Sequence, residues 1–354
     1  MGRLRDDSST AEPAPVTSVA AMVPVFSGRD VEAAVPPERA LEAVRDAFVA
    51  YARGEWTMPP KVYAHAYPAG DFRAMPALGG GHALLKWVTS YPENPAASLP
   101  TVMGVVLLSD ASNGVLRAVL DAAAVTALRT GAAAVLAAET LGRSDASNAA
   151  VIGAGVNGKA AARTFRARGR DVLLWDVDAQ RARDAATELG TGVADSSEEA
   201  LAADLIVTVT PGREIVLGHG SLRPGQHASL MGADGPGKAE IAVEELERVL
   251  VFCDDCKQSR TSTILDPAAR VRIFCDDWEQ ASHAGDLRNA VEAGVLRRED
   301  VTQLGDVLSG TTPGRQSADD ITIFDSTGLA IQDLAIALAA LEHADELNLP
   351  MFDL

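Results

Sequence analysis

A chain of 354 residues with 47% hydrophobic content exceeds one ordinary core and points to two domains. A net charge of −18 and a pI near 4.7 leave no basic surface for phosphate backbones, which excludes nucleic acid and anionic membrane as partners and leaves a small-molecule substrate. Cys253, Cys256 and Cys275 are too few for a disulfide framework, and with no second pair or histidine cluster to complete a zinc site they read as reduced thiols of a cytoplasmic protein without a metal.

In chain order, residues 1–24 are polar and proline-bearing without the apolar core of a secretory signal, and read as a mobile tail. No run approaches the length of a membrane span. From Ser27 the pattern S-G-R-D-V-E-A-A-V predicts a short strand and turn. A helix follows, with Leu41, Val44, Phe48 and Tyr51 on one face and Gly54 as its stop. The apolar runs 83–88, 101–108 and 115–120, separated by Pro92, Asn94, Pro95, Asn113 and Gly114, predict antiparallel strands. Residues 121–141 form a long alanine-rich helix that carries Arg129.

Residues 149–176 then read A-A-V-I-G-A-G-V-N-G-K-A-A-A-R-T-F-R-A-R-G-R-D-V-L-L-W-D: strand, G-x-G-x-x-G turn, helix, second strand and terminal acid. That order is a dinucleotide site in its full context. Gly153 permits the tight turn, Gly155 lets the backbone approach a pyrophosphate, and Gly158 lets helix and sheet pack closely, while the helix N-terminus offers N–H groups to the phosphates. Asp176 stands where a carboxylate accepts hydrogen bonds from the adenosine ribose and repels a 2′-phosphate, which favours NAD(H) over NADP(H).

Beyond it, helices to 168, over 179–189 and over 197–203 alternate with strands 172–175, 204–210 and 227–231, the pattern of a parallel sheet covered on both faces. V-L-V-F-C-D-D at 249–255 recurs as V-R-I-F-C-D-D at 271–277, read as a local insertion with an approximate duplication. The segment S-T-G-L-A-I-Q-D-L-A-I-A-L-A-A-L-E-H-A predicts an apolar helix that returns to the first domain. The fold class is α/β, a Rossmann-type doubly wound parallel sheet plus an α+β substrate and dimerisation domain. The expected units are 25–145 for substrate and dimerisation, 146–318 for NAD, and 319–354 as the returning helix.

Chemistry is expected from three places. Arg73 and Lys86 on a strand pair can fix a carboxylate and polarise a carbonyl or imine. Arg129 sits among small apolar residues, where an arginine needs an anion, either a substrate or a structural carboxylate. Asp234 lies in the A-D-G-P-G loop directly after a predicted strand, where partial desolvation can raise a carboxyl pKa for acid–base work, although such a loop is also an ordinary turn.

The segments K-W-V-T-S-Y-P-E-N-P, L-P-T-V-M-G-V-V-L-L, T-A-L-R-T-G-A-A-A, V-I-G-A-G-V-N-G, G-A-D-G-P-G-K-A-E and P-G-R-Q-S-A-D-D-I-T-I-F-D-S-T-G-L-A-I-Q-D-L-A resemble, in order over about residues 25 to 345, the ornithine cyclodeaminase/μ-crystallin family. The resemblance implies a homodimer. It also implies that Lys86 and Arg129 bind the substrate carboxylate, that Asp234 is the acid/base with Lys86 beside it, and that Gly153, Ala154, Gly155, Val156, Gly158, Asp176, Thr101, Thr130, Thr210 and Ser326 form the cofactor site. Two positions depart from the cyclodeaminase pattern: Arg73 replaces a glutamate, as in alanine dehydrogenase members, and Lys61 replaces an arginine, losing bidentate geometry. An acid there would suit a second ammonium on the substrate, whereas Arg73 suits a carboxylate. The resulting expectation is an NAD-dependent amino-acid dehydrogenase or imine reductase acting on a small L-amino acid. The alternatives are an ornithine- or lysine-type cyclodeaminase using NAD catalytically and a nucleotide-bound protein without catalysis.

Overall fold

The computed structural model describes residues 22–235, 237–258 and 271–353, with 251–258 given by backbone alone. Where a short strand and turn were expected from Ser27, the chain instead forms strand β1 (Met22–Phe26) and then helix α1 (Gly28–Ala34). The Ser27 backbone N–H donates to Asp30 Oδ2 at 2.9 Å while the Asp30 N–H donates back to Ser27 Oγ, a capping box that nucleates the helix. The tail expected over 1–24 is corrected at its end, since Met22 already belongs to β1; residues 1–21 lie outside the described ones.

Helix α2 (Pro37–Ala52) follows, burying Leu41, Val44 and Phe48. Then come β2 (Val62–Ala66), β3 (Gly70–Gly79), β4 (His82–Ser90), β5 (Val102–Asp110) and β6 (Leu116–Asp121). The mixed sheet has the order β2, β3, β4, β5, β6, β1 and, from the far end of the chain, β15 (Met351–Asp353). Its β2–β6 meander is antiparallel, and β1 joins β6 in parallel.

Helix α3 (Ala122–Leu141) connects this sheet to the next. It corrects the expectation that no run approaches a membrane span: at 20 residues it is long and apolar enough to cross one, yet it is mostly buried between α2, α4 and the sheets. Alanine and glycine make that possible. A Cβ on Gly131 would stand 2.7 Å from the Ala160 backbone of α4 (Val156–Ala167), so the two helix backbones pack almost directly on each other.

The second sheet starts with β7 (Asn148–Ile152) and continues through β8 (Asp171–Trp175), α5 (Ala179–Leu189), β9 (Gly192–Val193), α6 (Ser197–Ala200), β10 (Leu205–Thr208) and β11 (His227–Leu230). The chain then runs through α7 (Val243–Gln258), β12 (Val271–Cys275), α8 (Trp278–Ala284), α9 (Arg288–Glu292), β13 (Val301–Gln303), α10 (Leu304–Leu308) and β14 (Ile321–Asp325) to α11 (Ala330–Leu341). Every pairing among these strands is parallel, in the order β13, β12, β14, β11, β10, β7, β8, β9. The order reverses between β7 and β10, and a crevice opens at the carboxyl ends of strands at such a point. Successive residues of β10 serve different cores, Leu205 and Val207 facing α3 and Ile206 facing the opposite layer.

The near-duplicated F-C-D-D segments do not share a structure, since the first lies in α7 and the second ends β12 and enters α8. The side chains of Cys253 and Cys256 lie outside the described residues, and Cys275 is buried as a free thiol, its ionisation suppressed by burial and the acids around it. The parallel sheet also extends past the boundary expected at 318, because Ile321–Asp325 forms its β14. The following helix, α11, packs on α2 and on β3 and β4 of the mixed sheet.

Candidate active site

Strand alternation delivers the first cations. In the β3–β4 ladder Arg73 stands opposite Val88 and Met75 opposite Lys86, so both cations point to the same buried face. Helix periodicity delivers the next group: Thr126, Arg129 and Thr130 on α3 share one side. Loops at the carboxyl ends of parallel strands complete the set, with Thr210 after β10, Asp234 after β11 and Ser326 after β14. Lys61, Arg73, Lys86, Thr101, Arg129, Thr130, Thr210, Asp234 and Ser326 all line one cleft of about 230 Å³.

The charges are paired across elements. Arg73 donates from Nε to Asp71 at 2.6 Å and from Nη1 to Asp234 at 2.5 Å, with its guanidinium over the Tyr63 ring. The other Asp234 oxygen accepts from Lys238 Nζ at 2.6 Å. Burial alone would raise the Asp234 pKa, but Lys238 and Arg73 outweigh it and hold the carboxyl well below the usual range. The raised pKa expected for Asp234 is therefore reversed: in this arrangement it is a carboxylate anchored between two cations.

Lys86, 1% exposed, places Nζ 2.7 Å from Asp333 on α11 and 3.3 Å from the Thr126 hydroxyl. Burial pulls its pKa down to about 8, with Asp333 resisting. Arg129 Nε lies 3.6 Å from the same carboxylate. Lys61 donates to the Thr327 carbonyl at 2.9 Å, and burial lowers its pKa to about 8 against the pull of Asp234 and Asp276.

The glycine turn adjoins this cleft, which Asn157 of α4 also lines. Gly153 holds φ at +108°, and a Cβ on Gly158 would overlap the Gly153 carbonyl oxygen, so the turn admits no side chain at either place. Gly155 differs: nothing stands within 4 Å of its Cβ position, and it starts α4 with no side-chain cap. That leaves open space over unsatisfied N–H groups, where the exposed Val156 also sits, and a pyrophosphate fits it. Asp176, at the end of β8, accepts from the Ala154 N–H at 2.8 Å and the Asp178 N–H at 2.9 Å, and Arg181 lies 3.4 Å away. Oδ2, which accepts only from Ala154 among the described residues, retains a lone pair for a ribose hydroxyl.

Buried acids tie the loops from beneath. Glu240 accepts from the Thr210 N–H at 2.6 Å, the Gly232 N–H at 2.8 Å and the Thr208 hydroxyl at 2.8 Å. Asp286 accepts in turn from the Glu240 and Ile241 N–H groups, and burial with the Glu240 charge pushes its pKa up to about 7. Asp276 accepts from Ser326 at 3.0 Å, Thr327 at 3.2 Å and the Gly328 N–H at 2.8 Å.

Sequence reasoning passed over Asp333, Asp276, Glu240 and Lys238. Asp333 carries a legible signal, since an acid alone in A-I-Q-D-L-A-I-A-L-A-A-L is as anomalous as Arg129 in α3. Asp276 sits inside the duplicated segment, where no local pattern marks it.

Comparison with known proteins places this geometry. Residues 24–348 match the model of the ornithine cyclodeaminase/mu-crystallin family. The alanine dehydrogenase of Archaeoglobus fulgidus is 39% identical over 329 residues, covering 90% of this chain and 94% of that protein. Among solved structures, an archaeal alanine dehydrogenase dimer with bound NAD superposes with a TM-score of 0.83 at 36% identity, covering 94% of this chain and 99% of that one. The Δ1-pyrroline-2-carboxylate reductase of Thermococcus litoralis, in complex with NADH and L-proline, gives 0.82 at 25% identity, covering 94% and 100%. With a match that runs through both sheets and across the cleft between them, the chain belongs to the ornithine cyclodeaminase/mu-crystallin family.

Proposed function

We propose that this chain is an NAD(H)-dependent oxidoreductase of CH–NH2 and C=N groups that acts on a small L-amino acid and its imine, in the manner of alanine dehydrogenase. The observation that carries this reading is the convergence of Lys86, Arg129, Arg73 and Asp234 on one cleft beside a glycine turn fit for a pyrophosphate. Gly153, Ala154, Gly155, Val156, Gly158 and Asp176 hold the dinucleotide, with Thr101, Thr130, Thr210 and Ser326 along the cleft. NAD, when bound, supplies the hydride acceptor.

The chain's own groups do the rest. Lys86 and Arg129 bind the substrate carboxylate. Arg73, held by Asp71 and Asp234 on the same cleft, holds the substrate or its imine beside them. Asp234 is the acid/base of the reading; its ion pairs to Arg73 and Lys238 favour the carboxylate form, so loosening either pair makes it take up a proton more readily. A diamino acid is disfavoured, because Arg73 occupies the place where a second ammonium would need an anion.

The assembly is a homodimer, like the similar archaeal alanine dehydrogenase. The outer face of the mixed sheet supports this, with Leu78, Leu85, Trp87 and Met103 all exposed. The function is tested by incubating the protein with NAD and a panel including L-alanine, L-ornithine and L-lysine, following NADH absorbance and ammonia together. Equal NADH and ammonia from a small amino acid supports the dehydrogenase; ammonia without net NADH replaces it with cyclodeamination.

A further inference from the structure

Helix α11 is apolar throughout except for Gln332 and Asp333, and Asp333 is fully buried. A carboxylate in such a place is strongly disfavoured unless cations meet it. Two do: Lys86 Nζ approaches Oδ2 at 2.7 Å from β4, and Arg129 Nε approaches Oδ1 at 3.6 Å from α3. Among the described residues neither oxygen has any other hydrogen-bond partner. Three elements remote in sequence therefore meet through one acid. The Arg129 guanidinium is also pressed on the Gly328 backbone, since a Cβ there would run into Nη1, so it cannot swing away from Asp333 on that side.

Lys86 and Arg129 line the cleft, whereas Asp333 does not. The groups facing the Lys86 ammonium are Asp333 from α11, Thr126 and Arg129 from α3, and Arg73 from β3. Two cations share one carboxylate, which leaves a single positive charge turned toward the cleft. One substrate carboxylate neutralises it.

We propose that Asp333 is a positioning residue which, without touching substrate, fixes Lys86 and Arg129 in place and keeps Lys86 protonated, so that the pair presents one net positive charge matched to a monocarboxylate. This rests on the reading that Lys86 and Arg129 receive the substrate carboxylate. Burial works against the Lys86 ammonium, whose pKa is pulled down to about 8, and Asp333 is the largest opposing influence. Removing that negative charge lowers the Lys86 pKa further, so that Arg129 alone receives a carboxylate near neutral pH; binding is weakened there and strengthens as acid restores the ammonium.

The test is calorimetric titration of propionate, a bare carboxylate, into the NADH-saturated protein between about pH 6 and 9. Wild type is expected to bind propionate below about pH 8 and to weaken above it, with propionamide failing throughout. Asp333→Asn is expected to bind at least about tenfold more weakly near pH 8, to recover toward wild type near pH 6, and to keep NADH affinity within about twofold. A variant whose pH dependence superposes on that of wild type overturns the role of Asp333 while leaving the substrate site intact. Absence of propionate binding by wild type at every pH overturns both that site and this inference. Should Asp333→Asn fail to fold, Lys86→Met/Asp333→Leu is made together with Lys61→Met, because Lys61 lines the same cleft and also has a pKa of about 8; with Arg129 left as the one cation of the pair it must bind propionate with no titration across the range, and a titration that persists overturns the proposal.

Discussion

Space around single atoms decides several positions. Gly328 adopts φ of +75°, and the site of its missing Cβ is filled by the Arg129 guanidinium. Gly328→Ala therefore strains the backbone and displaces Arg129 together. The expected result is a stability loss of about 1–3 kcal/mol in denaturant unfolding, a substrate carboxylate affinity reduced by at least about tenfold, and an NADH affinity preserved, since the glycine turn is elsewhere. Gly155 is the opposite case, with open space around it. Nothing in the described residues would clash with a side chain there, which leaves open space over the helix N-terminus. The acid–base assignments follow the same local logic: Asp234 was marked in the sequence by its place after a strand, but its ionisation is governed by Arg73 and Lys238, and Arg73 lies 161 residues away along the chain.

Among elements, the loops after β10 and β11 are joined through Glu240 rather than to each other. Its carboxylate oxygens take two backbone N–H groups and a hydroxyl, and Asp286 holds the Glu240 backbone in place. Glu240→Gln turns one acceptor into a donor that faces a donor. A loss of about 1–3 kcal/mol is expected from the mismatch, with NADH and substrate binding both weakened because Thr210 and Asp234 ride on the tied loops; fluorescence titration with NADH reads it, and unchanged affinity removes Glu240 from the site. The capping box of α1 teaches a different lesson. S-G-R-D was on view in the sequence and outweighed the strand-like reading of the residues after it, because two reciprocal hydrogen bonds nucleate a turn that an isolated strand cannot match. The antiparallel strands at 83–88, 101–108 and 115–120 were legible because alternation and turn residues are local signals, and β4, β5 and β6 stand there.

At the scale of the molecule, the mixed sheet buries one face on the helices and leaves the other apolar and open. Phe72 stacks on Trp87 at 5.5 Å on that face, and Trp87 is 40% exposed. Around it the ladder sets Leu85 opposite Leu107 and Trp87 opposite Val105, a surface without a charge at its centre. Such a patch suits a second copy of the same chain. Trp87→Asp is expected to shift the protein from dimer to monomer in sedimentation or light scattering while leaving the parallel sheet folded; a dimer that persists places the interface elsewhere.

By itself the sequence determined the dinucleotide half of this protein: a strand, a glycine turn, a helix and an acid are consecutive, and each constrains its own backbone without help from afar. It also placed four candidates: Arg129 because a charge among small apolar neighbours is locally anomalous, Arg73 and Lys86 as two cations on a strand pair, and Asp234 as an acid in a glycine loop directly after a strand. Only the tertiary structure decided how those charges meet. Asp333 reaches Lys86 across 247 residues of chain and Glu240 closes two loops over 30 and 8 residues, and no period or spacing encodes such encounters. Burial then set their ionisation, because the energy of a charge depends on what surrounds it in space and not on its neighbours in sequence.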